Sequence, residues 1–154
     1  MAKWRGAYVI AVAGAAKKDA VMALGADRVI DRNCNIIEEL GRDVIDVVVD
    51  LVAGAVWPDL LDVMKRGGRY IASGAIAGPI VELDVRTLYL KDLTLMGATF
   101  QDKIVFENLI GYIERGEISP AVHAVFPLSE IADAQEMFLA KNFVGKIVLT
   151  IPHD

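Results

Sequence analysis

Cysteine occurs once, at Cys34, so no disulfide can form within the chain, and a lone thiol suits a reducing compartment. Histidine is almost as scarce. His123 and His153, even with Cys34, are too few and too scattered to cage a zinc ion, so no metal is expected. Neither histidine has a nucleophile beside it in sequence, and no catalytic residue is predicted. Basic side chains do not outnumber acidic ones: 16 Lys and Arg stand against 21 Asp and Glu, leaving a net charge of -5 and no electrostatic footprint for nucleic acid. Apolar runs stay strand-sized, far short of the ~20 residues that span a bilayer, so no membrane segment is expected. With no basic-then-apolar leader at the start, the chain reads as cytoplasmic. Finally, no two glycines are spaced G-x-G, so the phosphate-cradling fingerprint G-x-G-x-x-G is not encoded here.

What the chain does have is a rhythm. Of its 154 residues 55% are hydrophobic, enough for one domain, 1–154, with a sizeable core. Apolar runs of four to eight residues alternate with helical patterns, and glycine marks the turns between them, which predicts an α/β fold with a parallel sheet. The spacing predicts strands over 7–13, 28–31, 44–51, 69–73, 93–97, 122–126 and 146–151. The run VIDVVVDL at 44–51 is almost continuously apolar and β-branched, as expected of a central strand covered on both faces. Helices are predicted over 17–24, 36–40, 57–66, 84–90 and 103–115, with a further one capped by Ser129. Gly67-Gly68 reads as the stop of the helix from Trp57.

Four phrases in collinear order, ALGADRVID at 23–31, GGRYIASGA at 67–75, LTLMGAT at 93–99 and VGKIVL at 144–149, carry a resemblance. They are similar to segments of the medium-chain dehydrogenase/reductase superfamily, in its quinone oxidoreductase-like, zinc-independent branch. The resemblance covers essentially the whole chain but only the Rossmann cofactor-binding part of that family, entered late. It implies a truncated Rossmann domain without the first strand, the glycine loop or the catalytic domain, with MAKWRG at 1–6 standing for the end of the helix after the loop.

In a Rossmann sheet ordered 3-2-1-4-5-6 the missing strand is central. A slot about 10 Å wide would then open between its neighbours, because strands pair ~4.8 Å apart. We expect the doubly wound sheet to close up to the flavodoxin-like order 2-1-3-4-5; the other routes are a partner's strand or the C-terminal strand 146–151 in the slot.

The resemblance also places a site. Where the family often carries an acid for the ribose of NAD, this chain has Ala13-Gly14-Ala15 followed by Lys17 and Lys18, which favours the 2′-phosphate of NADP. Lysines in a helix's first turn oppose its dipole, a placement that a phosphate would offset; two solvated surface lysines are the plain alternative. Val52 and Gly54 after one strand, and Gly74, Ala75 and Ile76 after the next, resemble the loops lining ribose and nicotinamide. They follow the carboxyl ends of predicted parallel strands, where open α/β sheets bind ligands. Thr99 and Asn142 could line the same cleft. Asp46, Asp50 and Asp62 read as strand and helix-face residues rather than a catalytic carboxylate pair. Leu93–Met96 resembles the edge by which family members dimerise, so a homodimer is expected there.

Three functions remain open at this point: a cofactor-binding portion of an NADPH-dependent oxidoreductase, feeble alone and with NADPH binding weak or lost; a non-catalytic module that self-associates; and a flavodoxin-like binder of another small anion.

Overall fold

The structure is a computed structural model that describes residues 1–152; His153, weighed above as a zinc ligand, lies outside the described residues. Along the chain come β1 (Ile10–Ala13), α1 (Lys18–Ala23), β2 (Arg28–Asp31), α2 (Ile36–Leu40), β3 (Ile45–Asp50), α3 (Trp57–Val63), β4 (Met64–Ala72), α4 (Val85–Leu90), β5 (Thr94–Gly97), α5 (Lys103–Glu114), β6 (Val122–Pro127), α6 (Ile131–Ala140) and β7 (Lys146–Thr150). Every strand pairing is parallel, as the rhythm of the sequence predicts. The chain divides into two compact units, Cys34–Gln101 and, separately, Met1–Asn33 with the chain from Asp102 onward.

The unit Cys34–Gln101 is a three-stranded sheet in the order β3-β4-β5. Val48, Tyr70 and the inner ends of α3 build its core, in which Val48, Trp57, Leu61, Met64, Tyr70 and Leu93 cluster. The indole of Trp57 meets the ring of Tyr70 edge-on at 4.8 Å between centroids, a favoured aromatic geometry. Local signals set several boundaries. Asn35 accepts hydrogen bonds from the amides of Ile37 (3.0 Å) and Glu38 (3.2 Å), which starts α2. Asp84 does the same for Arg86 at the head of α4.

Three expectations fail in this unit. β3 is an outer strand of its sheet, and β4 is central. Only one face of β3 is covered: Val48 and Asp50 are buried, whereas Val47 and Val49 are exposed. The helix from Trp57 ends at Val63, and Gly67-Gly68 lies inside β4 rather than stopping that helix. The reason is a distant cap. The ammonium of Lys91 donates to the carbonyls of Leu61 (3.1 Å), Asp62 (2.8 Å) and Met64 (2.9 Å), satisfying the helix end that a local glycine was expected to close. Asp43 pairs with the same ammonium at 2.9 Å.

In the other unit, β1 pairs with β2 and β6 with β7. β1 is shorter than 7–13, because the carbonyl of Val9 already receives the amides of Asp27 and Arg28 and its own amide is held by the Asp27 carboxylate at 2.8 Å. MAKWRG forms a short 3-10 turn over Lys3–Arg5. Trp4 packs against Tyr112 of α5 at 4.8 Å. Ser129 lies within a 3-10 turn, so α6 begins at Ile131 without a side-chain cap.

The segments 2-1 and 3-4-5 of the expected strand order are thus realised as ladders. Among the described residues no ladder joins β1 to β3, and β7 pairs with β6.

Candidate functional site

The carboxyl ends of β3, β4 and β5 lead into three loops of one unit, and these contain six of the ten residues singled out from sequence. Two of the loops are stitched together. The amide of Ser73 donates to the carbonyl of Asp50 (2.8 Å), that of Ile76 to Leu51 (3.3 Å) and that of Ala77 to Val52 (2.9 Å). Contact is close enough to demand glycine. A β-carbon on Gly74 would lie 2.9 Å from the carbonyl oxygen of Leu51, and one on Gly54 2.8 Å from that of Ala77. Gly54 also has φ +68, so it is required twice over. The structure therefore brings Val52, Gly54, Gly74, Ala75 and Ile76 together as a double loop. Ile76, 88% exposed, stands at its surface. Thr99, exposed, follows β5, beyond an amide of Ala98 that donates to Ala72 at 2.9 Å.

Beneath the loop after β3 sits Asp50, 5% exposed. Its Oδ1 accepts from the amide of Val52 at 2.7 Å, and its Oδ2 from the amide of Ala53 at 3.1 Å and from the hydroxyl of Tyr70. Burial, followed by the hydrogen bond and charge of Asp50, pushes the Tyr70 hydroxyl well above its ordinary range, so it stays a proton donor. Ala53 holds φ 53 and ψ -142, a conformation costing about 1–3 kcal/mol for a residue with a side chain. Sequence reasoning took Asp50 for an ordinary strand residue. Its position after an apolar run and before a glycine loop was the available signal; its partner Tyr70 lies 20 residues further on.

Gly14, Lys17 and Lys18 belong to the other unit, at the carboxyl end of β1. The amide of Lys17 donates to the carbonyl of Gly14 at 2.9 Å, so Gly14 opens the turn that carries both lysines. Arg32, just past β2, was missed from sequence. Its amide donates to the carbonyl of Ala13 (3.0 Å), and its guanidinium lies over Gly14, where an added β-carbon would stand 2.6 Å from Nη2. Three cations thus follow the carboxyl ends of the β1–β2 pair, with Asp19 and Asp31 as the nearest carboxylates in sequence. The Asp31 carboxylate accepts from the amide of Asn33 at 2.8 Å. Asn142, exposed between α6 and β7, neighbours Phe143, whose ring stacks on His123 at 5.2 Å.

Asp46 and Asp62 take structural partners, Lys65 at 3.0 Å and Arg42 respectively, and form no carboxylate pair. Among the described residues no three His, Cys, Asp or Glu side chains converge as a metal cage.

Parallel strands whose carboxyl ends carry glycine loops, with a buried carboxylate under one and cations past another, define an α/β domain of the cofactor-binding type. Residues 1–115 match the model of the zinc-binding dehydrogenase family, and the chain belongs to that family, within the medium-chain dehydrogenase/reductases. It is 31% identical to the acryloyl-coenzyme A reductase of Metallosphaera sedula, over 97% of this chain and 45% of that protein. Quinone oxidoreductases are among the further matches. A solved protein of Sinorhizobium meliloti 1021, provisionally described as an alcohol dehydrogenase, superposes with TM-score 0.86 at 46% identity, covering 98% of this chain and 43% of that one. The 2-octenoyl-CoA carboxylase reductase CinF, described in complex with NADP and 2-octenoyl-CoA, superposes at 0.83 with 27% identity, covering 96% and 39%. The chain therefore spans about half the length, or less, of the relatives it matches. Despite the family's name, the described residues offer no set of side chains that fits a zinc ion.

Proposed function

We propose that the chain is the cofactor-binding portion of an NADPH-dependent oxidoreductase that moves hydride to or from a carbonyl, enone or quinone. The observation that carries this reading is the Arg32 guanidinium lying over Gly14, with Lys17 and Lys18 following in the turn that Gly14 opens, where an NAD-selective protein would present an acid to the ribose. A dianionic 2′-phosphate suits a turn that carries this much positive charge in sequence, and the arginine's planar fork suits phosphate oxygens. The double loop of Val52, Gly54, Gly74, Ala75 and Ile76 supplies backbone and an apolar side chain of the kind that meets a ribose and nicotinamide. The nicotinamide, when bound, provides the hydride, so the residues here bind and orient and need not exchange protons. With no G-x-G-x-x-G in this sequence, diphosphate is held weakly and turnover by this chain alone is feeble. The exposed outer strand β5, with Met96 40% exposed, is the proposed homodimer contact, and a single cysteine accords with a cytoplasmic setting.

The test is a titration with NADPH and NADH followed by thermal shift. Saturable NADPH binding at or below about 100 μM, weakened roughly tenfold for NADH, is expected. Equal affinity for the two would sink the 2′-phosphate assignment. No binding at millimolar NADPH would leave a non-catalytic, self-associating module as the better account.

A further inference from the structure

The loop after β3 is held by more than its own sequence provides. A buried carboxylate is costly unless fully bonded, and a strained alanine persists only where its surroundings dictate its conformation. Here the two coincide. Asp50 spends both oxygens on the amides of Val52 and Ala53, while Tyr70, 1% exposed on the central strand, donates its hydroxyl to the same carboxylate. In addition, the amides of Ile76 and Ala77 donate to the carbonyls of Leu51 and Val52. An apolar residue at 50 and a glycine at 53 would make a cheaper turn. The same cluster leaves the indole N–H of Trp57 buried and, among the described residues, without a partner, another departure from an arrangement chosen for stability alone.

We propose that Asp50 and Tyr70 are a positioning pair: the phenol orients the carboxylate, the carboxylate fixes the amides of Val52 and Ala53, and the loop 51–54 is thereby presented in one conformation to the ligand. Neither residue touches the ligand; both act through the loop. The identity of that ligand rests on the cofactor reading above, whereas the holding of the loop does not.

Tyr70→Phe separates the two, because it keeps the ring against Trp57 and removes only the donor. Amide hydrogen exchange on the whole chain should then speed up at least roughly tenfold at Val52 and Ala53, with little change at Val48 in the middle of β3. Asp50→Asn should exceed that effect, and if it fails to fold, Tyr70→Phe decides alone. Unchanged exchange at Val52 and Ala53, or a uniform rise along β3 and β4, overturns the pair as a positioning device. NADPH affinity should fall about fivefold or more in Tyr70→Phe; equal affinity alongside a loosened loop overturns its role toward the ligand. If the unsubstituted chain binds no NADPH, the cofactor reading fails, and exchange still decides whether the pair holds the loop.

Discussion

Replacing Gly54 by alanine tests the double loop most directly, and Gly67→Ala is its control. Both glycines have positive φ, +68 and +75, so an alanine pays a similar conformational penalty at either, about 1–2 kcal/mol. They differ in surroundings. A β-carbon at Gly67 meets nothing within 4 Å, whereas at Gly54 it would stand 2.8 Å from the Ala77 carbonyl oxygen and 3.0 Å from the Ala77 β-carbon. Backbone stitched by the Ala77–Val52 hydrogen bond cannot yield cheaply, which adds about 1–3 kcal/mol of overpacking. Gly54→Ala should therefore lose about 2–5 kcal/mol and Gly67→Ala about 1–2. At about 3 °C per kcal/mol for a chain this long, the midpoints fall by roughly 6–15 °C and 3–6 °C. Urea unfolding followed by circular dichroism, compared at constant m-value, supplies the free energies. Equal losses in the two variants would refute the close approach of loops 51–54 and 73–78.

Lys91→Met should cost about 1–3 kcal/mol by orphaning the carbonyls at the end of α3, and Lys91→Arg should not restore it, since a planar fork cannot converge on three carbonyls; denaturant midpoints of both variants check this. Arg32→Ala should reduce NADPH affinity about tenfold while leaving NADH affinity within a factor of about two, read by parallel titrations. The Asp27 carboxyl is held below its ordinary 3.8 chiefly by the Lys3 ammonium and then by the Val9 amide. Its folded-state contribution is accordingly complete above pH 3.8 and lost as pH falls through the lower folded value, so Asp27→Asn should flatten that part of the acid limb in stability measured from about pH 5 to 2.

Elements with local punctuation were legible in the sequence. β2 and α2 fall where the spacing puts them, because Asn35 begins α2, Gly41 follows its end, and Asp27 precedes β2. The end of α3 was not legible, since its cap arrives from Lys91, about 30 residues away, and frees Gly67-Gly68 to join a strand. The almost continuous apolar run VIDVVVDL reads as a strand with two covered faces, whereas burial of Val48 and Asp50 marks only one. At the candidate site, the glycines after β3 and β4 were visible from their place after apolar runs. Arg32 and Tyr70 were not, because each is brought to its partner by strand pairing across some twenty residues.

The strand β3 carries a further consequence for handling the protein. Its Val47-Val48-Val49 stretch has high extended-chain propensity and, on its outer edge, no ladder among the described residues. Asp46 and Asp50 bracket it, the former exposed and paired with Lys65. Such flanking charges act as gatekeepers against fibril-like stacking. Exchanging Asp46 for valine would thus be felt in the test tube as turbidity and lost yield, even where the folded molecule tolerates the change.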